Sequence, residues 1–197
     1  MVQVEGLAIR KRCAELCALA YIETPHIDTD NGLQILLIEE DDILYIVFAG
    51  SNEGRDWLTN FRFWSKKFNK VKYHGGYLRT LAPHVQTILN HSDASGKERI
   101  VITGHSAGGA LAEILGVVSG LSPEQIVTFG APKAIRRCDK STQRFLNKRL
   151  TNYINAYDFV TRLPFGWHRF GKNVVKWARK VLKSEHPMSV YVDEFFD

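Results

Sequence analysis

The sequence predicts an α/β fold in which helices flank a mostly parallel central sheet, with antiparallel strands near the N-terminus. Two observations carry this prediction. Short β-rich apolar runs alternate along the chain with segments of helical periodicity, and a glycine-rich turn joins one apolar run directly to an alanine-rich segment. With 197 residues, 45% of them hydrophobic, the chain can bury one sizeable core, so we expect a single domain over residues 1–197.

The individual elements are predicted from periodicity and from polar breaks. Apolar spacing predicts, in chain order, a helix over 4–20, an antiparallel strand pair over 33–38 and 43–48, a helix over 77–91, a strand over 99–103, a helix over 107–119, and strands over 125–129 and 152–156. Parallel strands need a crossover between them, and the intervening helices supply it.

Charge and composition restrict the partners and the location of the chain. The net charge of +5 favours anionic partners, but no nucleic-acid-binding motif and no basic strand surface interleaved with aromatics is apparent, so we expect no nucleic acid partner. No apolar run approaches the roughly 18 residues of a membrane-spanning helix, and no secretory signal is recognisable. We therefore expect a chain that does not span a membrane and is cytoplasmic, or is released without a recognisable signal peptide. The sequence does not specify an oligomeric state.

The three cysteines cannot all pair within the chain. Cys13 and Cys17 lie four residues apart on one face of the predicted first helix, which indicates reduced, structural thiols. Cys138 lies among basic residues without a partner motif, so no catalytic role is expected for it.

The segment 99–115, RIVITGHSAGGALAEIL, carries the strongest chemical signal. It places G-x-S-x-G, with Ser106 at its centre, between a predicted strand and a predicted helix. Such a turn strains the backbone of the serine and needs glycine on either side, and it lifts the hydroxyl clear of the sheet. The backbone N–H of Ala107 then lies at a helix N-terminus, where it can stabilise an oxyanion. The alternative is an ordinary glycine-rich turn that happens to contain a serine.

A serine nucleophile needs a histidine base and an acid to orient it, in the chain order Ser, Asp or Glu, His. Asp158 follows an apolar strand directly and is the better acid, whereas Asp139 resembles an exposed helix start. Beyond Asp158 the sequence offers His168 and His186, and position favours His186 while leaving both open.

Several motifs in order resemble the class 3 lipase family, which includes fungal triacylglycerol lipases. The matching segments cover most of the chain and are Phe48-Ala49-Gly50-Ser51 with Asp56-Trp57, Tyr73-His74-Gly75-Gly76-Tyr77, Gly104 to Leu111, Thr128-Phe129-Gly130-Ala131-Pro132, and Asn155 to Pro164. Two positions depart from the family pattern, Ala49 where arginine is usual and Ala107 where leucine is usual.

The resemblance implies an α/β-hydrolase fold and a Ser106, Asp158, His186 triad, with His168 noncatalytic and Tyr191 as the aromatic residue that follows the catalytic histidine. It also implies that the backbone N–H of Ser51 joins that of Ala107 in the oxyanion hole, and that His74 and His105 are structural. The implied activity is carboxylic ester hydrolysis, and the implied substrate is a lipid ester such as an acylglycerol or a phospholipid. The alternative is a noncatalytic binding module that retains the motif. The histidines lack metal-ligand spacing, so neither a metal nor a cofactor is expected.

Two segments indicate contact with lipid. Residues 56–68, DWLTNFRFWSKKF, lie where the family carries a lid over the active site, although a packed amphipathic helix would show the same pattern. Residues 172–183, KNVVKWARKVLK, predict an amphipathic helix that either packs on the core or docks on anionic lipid. The expected partners are a lipid or ester substrate and an anionic membrane surface.

Overall fold

Seven strands form the central sheet of the computed structural model, which describes residues 2–50, 64–177 and 187–196. From one edge to the other they are β1 Ile27–Asp28, β2 Gln34–Glu40, β3 Ile43–Phe48, β6 Arg99–His105, β7 Gln125–Phe129, β9 Leu150–Asn155 and β10 Lys172–Lys176. The first three strands pair antiparallel, and β3, β6, β7, β9 and β10 pair parallel. The predicted mostly parallel sheet with antiparallel N-terminal strands is confirmed.

Hydrophobic layers cover both faces of this sheet. Along β3 successive residues alternate between the layers, so that Ile46 belongs to one and Val47 to the other, as a strand buried on both faces requires. One layer packs against α1 Val2–Leu19 and α6 Met188–Phe195, and the other packs against α2 Gly75–Leu81, α3 Val85–Ser95, α4 Ala107–Val118 and α5 Lys140–Arg149. The sheet is therefore the middle of three layers.

Helix α1 contributes the two thiols that were predicted to be structural. Cys13 and Cys17 are both buried, unpaired as disulfides and packed into the layer beneath α1. The Cys17 Sγ lies 3.4 Å from the Thr103 Oγ1 on β6, which ties the helix to the central sheet. Burial raises the pKa of Cys17 to about 12, so the thiol stays protonated. The prediction of reduced, structural cysteines is confirmed.

A second, smaller sheet was not predicted. It contains β4 Ser65–Phe68, β5 Val71–His74 and β8 Ile135–Arg137, all paired antiparallel with β5 in the middle. Strand β5 leads directly into α2, and β8 follows β7 after a short connection. Strands β4 and β5 form a hairpin joined by two residues, whereas β8 comes from a distant part of the chain, so no local pattern predicts the three-stranded sheet.

The single helix predicted over 77–91 is wrong. Two α-helices, α2 and α3, occupy this region, and a 3₁₀ turn over Ala82–His84 separates them. Pro83 lies within that turn, where its missing N–H and its ring interrupt α-helical hydrogen bonding.

The amphipathic helix predicted over 172–183 is wrong for its first five residues. Lys172–Lys176 form the edge strand β10, which pairs in parallel with β9. The Asn152 Nδ2 also donates to the Asn173 Oδ1 at 3.1 Å. A short run with two adjacent valines is compatible with either element, and pairing with β9 decides the outcome. Residues 178–183 lie outside the described residues.

The segment 56–68, where a lid was predicted, is also described only in part. Its last four residues form β4, so a helical interpretation is wrong there. Residues 56–63 lie outside the described residues, and the lid stays a prediction. Among the helices that the structure describes, none combines the length and the apolar character needed to cross a bilayer.

Candidate active site

Ser106 occupies a sharp turn between β6 and α4. Its backbone has φ 55° and ψ −128°, in the positive-φ region that residues other than glycine rarely adopt. The Ser106 N–H donates to the Phe129 carbonyl on β7 at 2.9 Å, and its carbonyl accepts from the Gly109 N–H at 3.0 Å. The neighbouring strand and the first turn of the helix thus hold the strained residue from both sides. Strain at such a position is typical of functional sites.

The glycines beside Ser106 are required by sterics. A Cβ atom on Gly104 would collide with the backbone of Gly108, and one on Gly108 would lie 2.6 Å from the Ala49 carbonyl oxygen. Both obstacles are backbone atoms, which cannot move aside cheaply. This arrangement matches the reason for which the sequence motif needs glycine at these positions.

Ala107 is the first residue of α4, and its N–H lies at the positive end of the helix dipole. The first N–H groups of a helix have no intrahelical acceptor, so such a group can bind a developing oxyanion next to Ser106. This agrees with the first of the two predicted oxyanion donors. Ser51, the second predicted donor, lies outside the described residues.

Asp158 is almost fully buried just beyond the carboxyl end of β9. Its Oδ1 accepts from the Val160 N–H at 2.9 Å, and its own N–H donates to the Asn155 carbonyl at 2.9 Å. The Thr161 hydroxyl donates to the Asp158 carbonyl at 2.7 Å. A buried carboxylate needs donors of this kind to remain in place. The turn after β9 therefore fixes both the backbone and the side chain of Asp158.

Tyr191, on α6, binds the other oxygen of this carboxylate. Its hydroxyl donates to the Asp158 Oδ2 at 2.8 Å and accepts from the Asn155 N–H at 3.3 Å. Tyr191 is completely buried, and burial is the main cause that raises its pKa, so the phenol stays protonated as a donor. Sequence reasoning noted Tyr191 only as an aromatic landmark. That a buried tyrosine needs a polar partner was foreseeable, but the identity of the partner was not.

Two ionisable side chains, Glu113 and Arg169, were missed as well. The Glu113 carboxyl on α4 is buried, which raises its pKa to about 7, while the charge of Arg169 and the backbone N–H of Ala134 act in the opposite direction. Arg169 donates to the carbonyls of Ala131 and Thr161 at 2.7 and 2.6 Å, and burial lowers its pKa. Through Thr161 this arginine is linked to the turn that holds Asp158.

The rival acid, Asp139, has a structural role. It caps the N-terminus of α5 by accepting from the N–H groups of Ser141 and Thr142 at 2.8 and 3.0 Å. Hydrogen bonds from the Ser141 side chain and the Thr142 backbone lower the pKa of Asp139 to about 2. Its interpretation as an exposed helix start is confirmed.

The rival base, His168, is exposed, and its ring packs edge-on against Phe170 with the centroids 4.7 Å apart. No hydrogen bond joins it to Asp158 or to Ser106 in the part of the chain that the structure describes. His186, the predicted base, lies outside the described residues.

Two further histidines, His74 and His105, are buried. The His105 Nδ1 and the Tyr21 hydroxyl are 2.6 Å apart. This hydrogen bond connects the residue before Ser106 to the turn that follows α1. The His74 ring lies 4.6 Å from the Tyr77 ring, and burial lowers the pKa of His74 to about 4, which keeps it neutral. Both observations agree with the structural roles expected for these residues.

Comparisons with known proteins find similarity to lipases and to a phospholipase. A profile of the family described as lipase (class 3) matches residues 45–167, which is more than half of the chain. An extracellular phospholipase A1 from Serratia liquefaciens is 30% identical over 104 residues, which are 53% of this chain and 28% of that protein. The chain spans only about a third of the length of the curated relatives that it matches.

Solved structures of fungal lipases share the fold. Lipase II from Rhizopus niveus aligns with a TM-score of 0.72 at 19% identity, over 87% of this chain and 81% of that chain. Rhizomucor miehei lipase in its propeptide complex aligns with a TM-score of 0.67 at 21% identity, over 88% and 68% of the two chains. This likeness establishes the α/β-hydrolase fold.

Proposed function

The chain belongs to the class 3 lipase family, and we propose that it hydrolyses carboxylic esters of lipids with Ser106 as the nucleophile and Asp158 and His186 as the other triad members. The backbone conformation of Ser106 is the main support for this proposal. Ser106 has a strained backbone, with φ 55°, at the junction of a buried strand and a helix N-terminus. A fold retains such strain where the side chain must be presented in one orientation.

The other two triad members are supported unequally. Asp158 is buried, hydrogen-bonded through both oxygens and located at the carboxyl end of a parallel strand, the edge of the sheet at which such folds collect their site residues. His186 is supported by sequence adjacency, because it directly precedes Pro187, the N-cap of the helix whose Tyr191 binds Asp158. The family resemblance supports the same residue.

The proposed reaction follows from these roles. His186 takes the proton of the Ser106 hydroxyl as the oxygen attacks the ester carbonyl, and Asp158 holds the imidazole in the correct tautomer. The N–H groups of Ala107 and Ser51 stabilise the oxyanion. The alcohol leaves with the proton from His186, and water then attacks the acyl-enzyme to release the acid and restore Ser106.

Lipid esters are the proposed substrates. The relatives are named phospholipase A1 and triacylglyceride lipase, which supports acylglycerols or phospholipids over small soluble esters. The bacterial relative is named extracellular, which supports release from the cell over a cytoplasmic location. We also propose peripheral contact with an anionic membrane surface, for which the net charge of +5 is suited.

A fluorophosphonate probe and a series of nitrophenyl esters, with a phospholipid assayed alongside, test the proposal. The native chain should react with the probe, and Ser106→Ala should abolish labelling and reduce ester hydrolysis by at least about 10⁴-fold. Ser119→Ala, at the other end of the same helix α4, is the matched control and should keep both activities.

Two outcomes would contradict the proposal. Labelling that persists in Ser106→Ala would place the nucleophile elsewhere. A folded native chain that neither reacts with the probe nor hydrolyses any ester would instead be a noncatalytic binding module.

A further inference from the structure

We propose that one face of the small sheet docks the chain onto an anionic phospholipid surface. This cationic face is defined by Lys67 on β4, Lys72 on β5, and Arg136 and Arg137 on β8. The choice of a phospholipid surface as the occupant rests on the proposed function. The existence of an anion-binding face rests on the geometry of the three strands.

Three cations form a row across the small sheet. Lys67 pairs in register with Lys72, and Lys72 pairs in register with Arg137, so that one cation from each strand lies beside the next. Directly opposite residues in an antiparallel pair have Cβ atoms about 4.5–5.5 Å apart, and like charges in that position destabilise the sheet. The fold thus holds positive charge together at a cost in stability.

A bulge adds a fourth cation to the same region. The register between β5 and β8 shifts between Lys72 and Tyr73, which places Arg136 as an extra residue beside the row. Lys72, Arg136 and Arg137, together with Gly166, line a hollow of about 220 Å³. The hollow is smaller than the roughly 300–1,000 Å³ pockets that take drug-sized molecules, so it suits a phosphate headgroup better than an acyl chain.

Among the described residues, the charges of this face have no counter-ions. No ion pair within residues 2–50, 64–177 and 187–196 involves Lys67, Lys72, Arg136 or Arg137. All four side chains belong to exposed residues. The field of the face is therefore available to an external anion.

Exposed aromatic rings adjoin the cations. Phe165 directly precedes Gly166 of the hollow and is 67% exposed, and Phe159 directly follows Asp158 and is 55% exposed. The two rings meet edge to face with centroids 5.8 Å apart. This aromatic pair connects the proposed catalytic acid with the cationic face.

The combination favours a membrane over a nucleic acid. A bilayer surface presents phosphates to cations and an apolar interior to exposed phenylalanines, and peripheral proteins bind it through both. A nucleic acid backbone is tracked by an extended cationic groove, with rings placed for stacking on bases. In this chain three of the four cations line one compact hollow. The two phenylalanine rings pack edge to face against each other, so they do not present parallel faces on which bases could stack.

Vesicle sedimentation tests the inference in the Ser106→Ala background, in which hydrolysis cannot alter the lipid. The chain should prefer vesicles of phosphatidylcholine with phosphatidylglycerol over phosphatidylcholine alone by at least about tenfold, and the preference should weaken with added salt. Lys72→Gln with Arg137→Gln should weaken binding to the anionic vesicles by about 25-fold, since each cation near such a surface contributes about fivefold. Phe165→Ser should lower binding about tenfold without changing the salt dependence.

A charge-matched variant provides the control. Lys11→Gln with Lys148→Gln removes the same charge from exposed positions on α1 and α5, and it should retain most of the binding. Equal losses in both double variants would overturn the inference, because only net charge would then matter. Absence of a preference for anionic vesicles would overturn it too, and so would selective loss of duplex DNA retention in a chain that does not bind vesicles.

Thermal melting separates lost binding from lost folding. Lys72→Gln with Arg137→Gln should melt at the same temperature or higher, because repulsion along the row is relieved. If that variant melts lower, Lys67→Gln with Arg136→Gln applies the same vesicle test to the other two cations. Binding is measured without turnover, so its failure is distinct from failure of the proposed hydrolysis.

Discussion

The two ends of the central sheet differ in how they treat charge and strain. At the carboxyl ends of the parallel strands lie the positive-φ Ser106, the buried Asp158 and the buried Glu113. At the amino ends lies Arg99, at the start of β6, which bonds Glu124 at 2.6 Å, Glu5 at 2.8 Å and Asp42 at 3.2 Å. The carboxyl end thus combines a strained serine with buried acids, whereas the amino end pairs partly exposed charges, and its positive-φ Asp41 is a residue type that tolerates this conformation in turns.

The difference supports the proposal that the active site lies at the carboxyl end. Strained backbone and buried ionisable groups are concentrated at functional sites. Half-exposed ion pairs contribute modestly to stability and do not require a functional explanation. Substitutions at the carboxyl end should therefore change activity or the pH dependence of stability, whereas substitutions at the amino end should change stability alone.

The largest expected effect at the carboxyl end is that of Asp158→Asn. An amide cannot stabilise an imidazolium or select the reactive tautomer, so kcat should fall by about 10⁴-fold while the fold is kept. Esterase kinetics measure the loss. Asp139→Asn is the matched control and should leave activity unchanged, because asparagine caps a helix as well as aspartate does. Loss of activity in Asp139→Asn with retention in Asp158→Asn would reverse the assignment of the acid.

The next effect concerns pH and stability. Burial raises the pKa of Glu113 from 4.5 to about 7, so the folded chain holds this proton more tightly than the unfolded chain. The stability that this proton contributes is fully present below the pKa of Glu113 in the unfolded chain. As pH rises through the pKa of Glu113 in the folded chain, the unfolding free energy falls by about 3 kcal/mol in total. Glu113→Gln should remove this loss.

Urea unfolding at several pH values measures the effect as a difference between the two proteins. The unfolding free energy of Glu113→Gln relative to the native chain should increase from about pH 4.5 to about pH 8. A difference that is flat with pH would show that burial does not control this carboxyl.

A smaller effect is expected for Tyr191→Phe, which removes one of the hydrogen bonds to Asp158. Because a buried oxygen loses its donor, the unfolding free energy should fall by about 1–3 kcal/mol and kcat/KM by about tenfold. A carboxylate with fewer donors attracts the imidazole proton more strongly, so the acidic limb of the kcat/KM profile should move to higher pH. A loss of stability with an unmoved pH profile would make Tyr191 a packing residue only.

The smallest effect is expected at the amino end, from Arg99→Gln. The variant should lose about 1 kcal/mol of unfolding free energy at low salt, and the loss should shrink at high salt because the side chain is partly exposed. Ester hydrolysis should be unchanged. Arg144→Gln, at an exposed arginine on α5 without an ion pair among the described residues, should lose less. A loss of activity in Arg99→Gln would remove the distinction between the two ends.

Local patterns in the sequence determined the features that depend on neighbouring residues. The turn at Ser106 is one of them, because the strain at Ser106 and the clash that a Cβ on Gly104 would make with the Gly108 backbone arise within a few residues. The buried parallel strands are another, since apolar runs of four to eight residues bounded by turns are a local signal. The cap formed by Asp139 was recognisable for the same reason.

Only the tertiary structure decided the features built from distant segments. The hydroxyl of Tyr191 reaches Asp158 across 33 residues, and the pairing of β5 with β8 brings the cations of 135–137 beside those of the hairpin 65–74. Lys172–Lys176 became a strand because β9 offered an unpaired edge. Contacts between distant residues depend on the register of strands and the packing of helices, which no single stretch of sequence encodes.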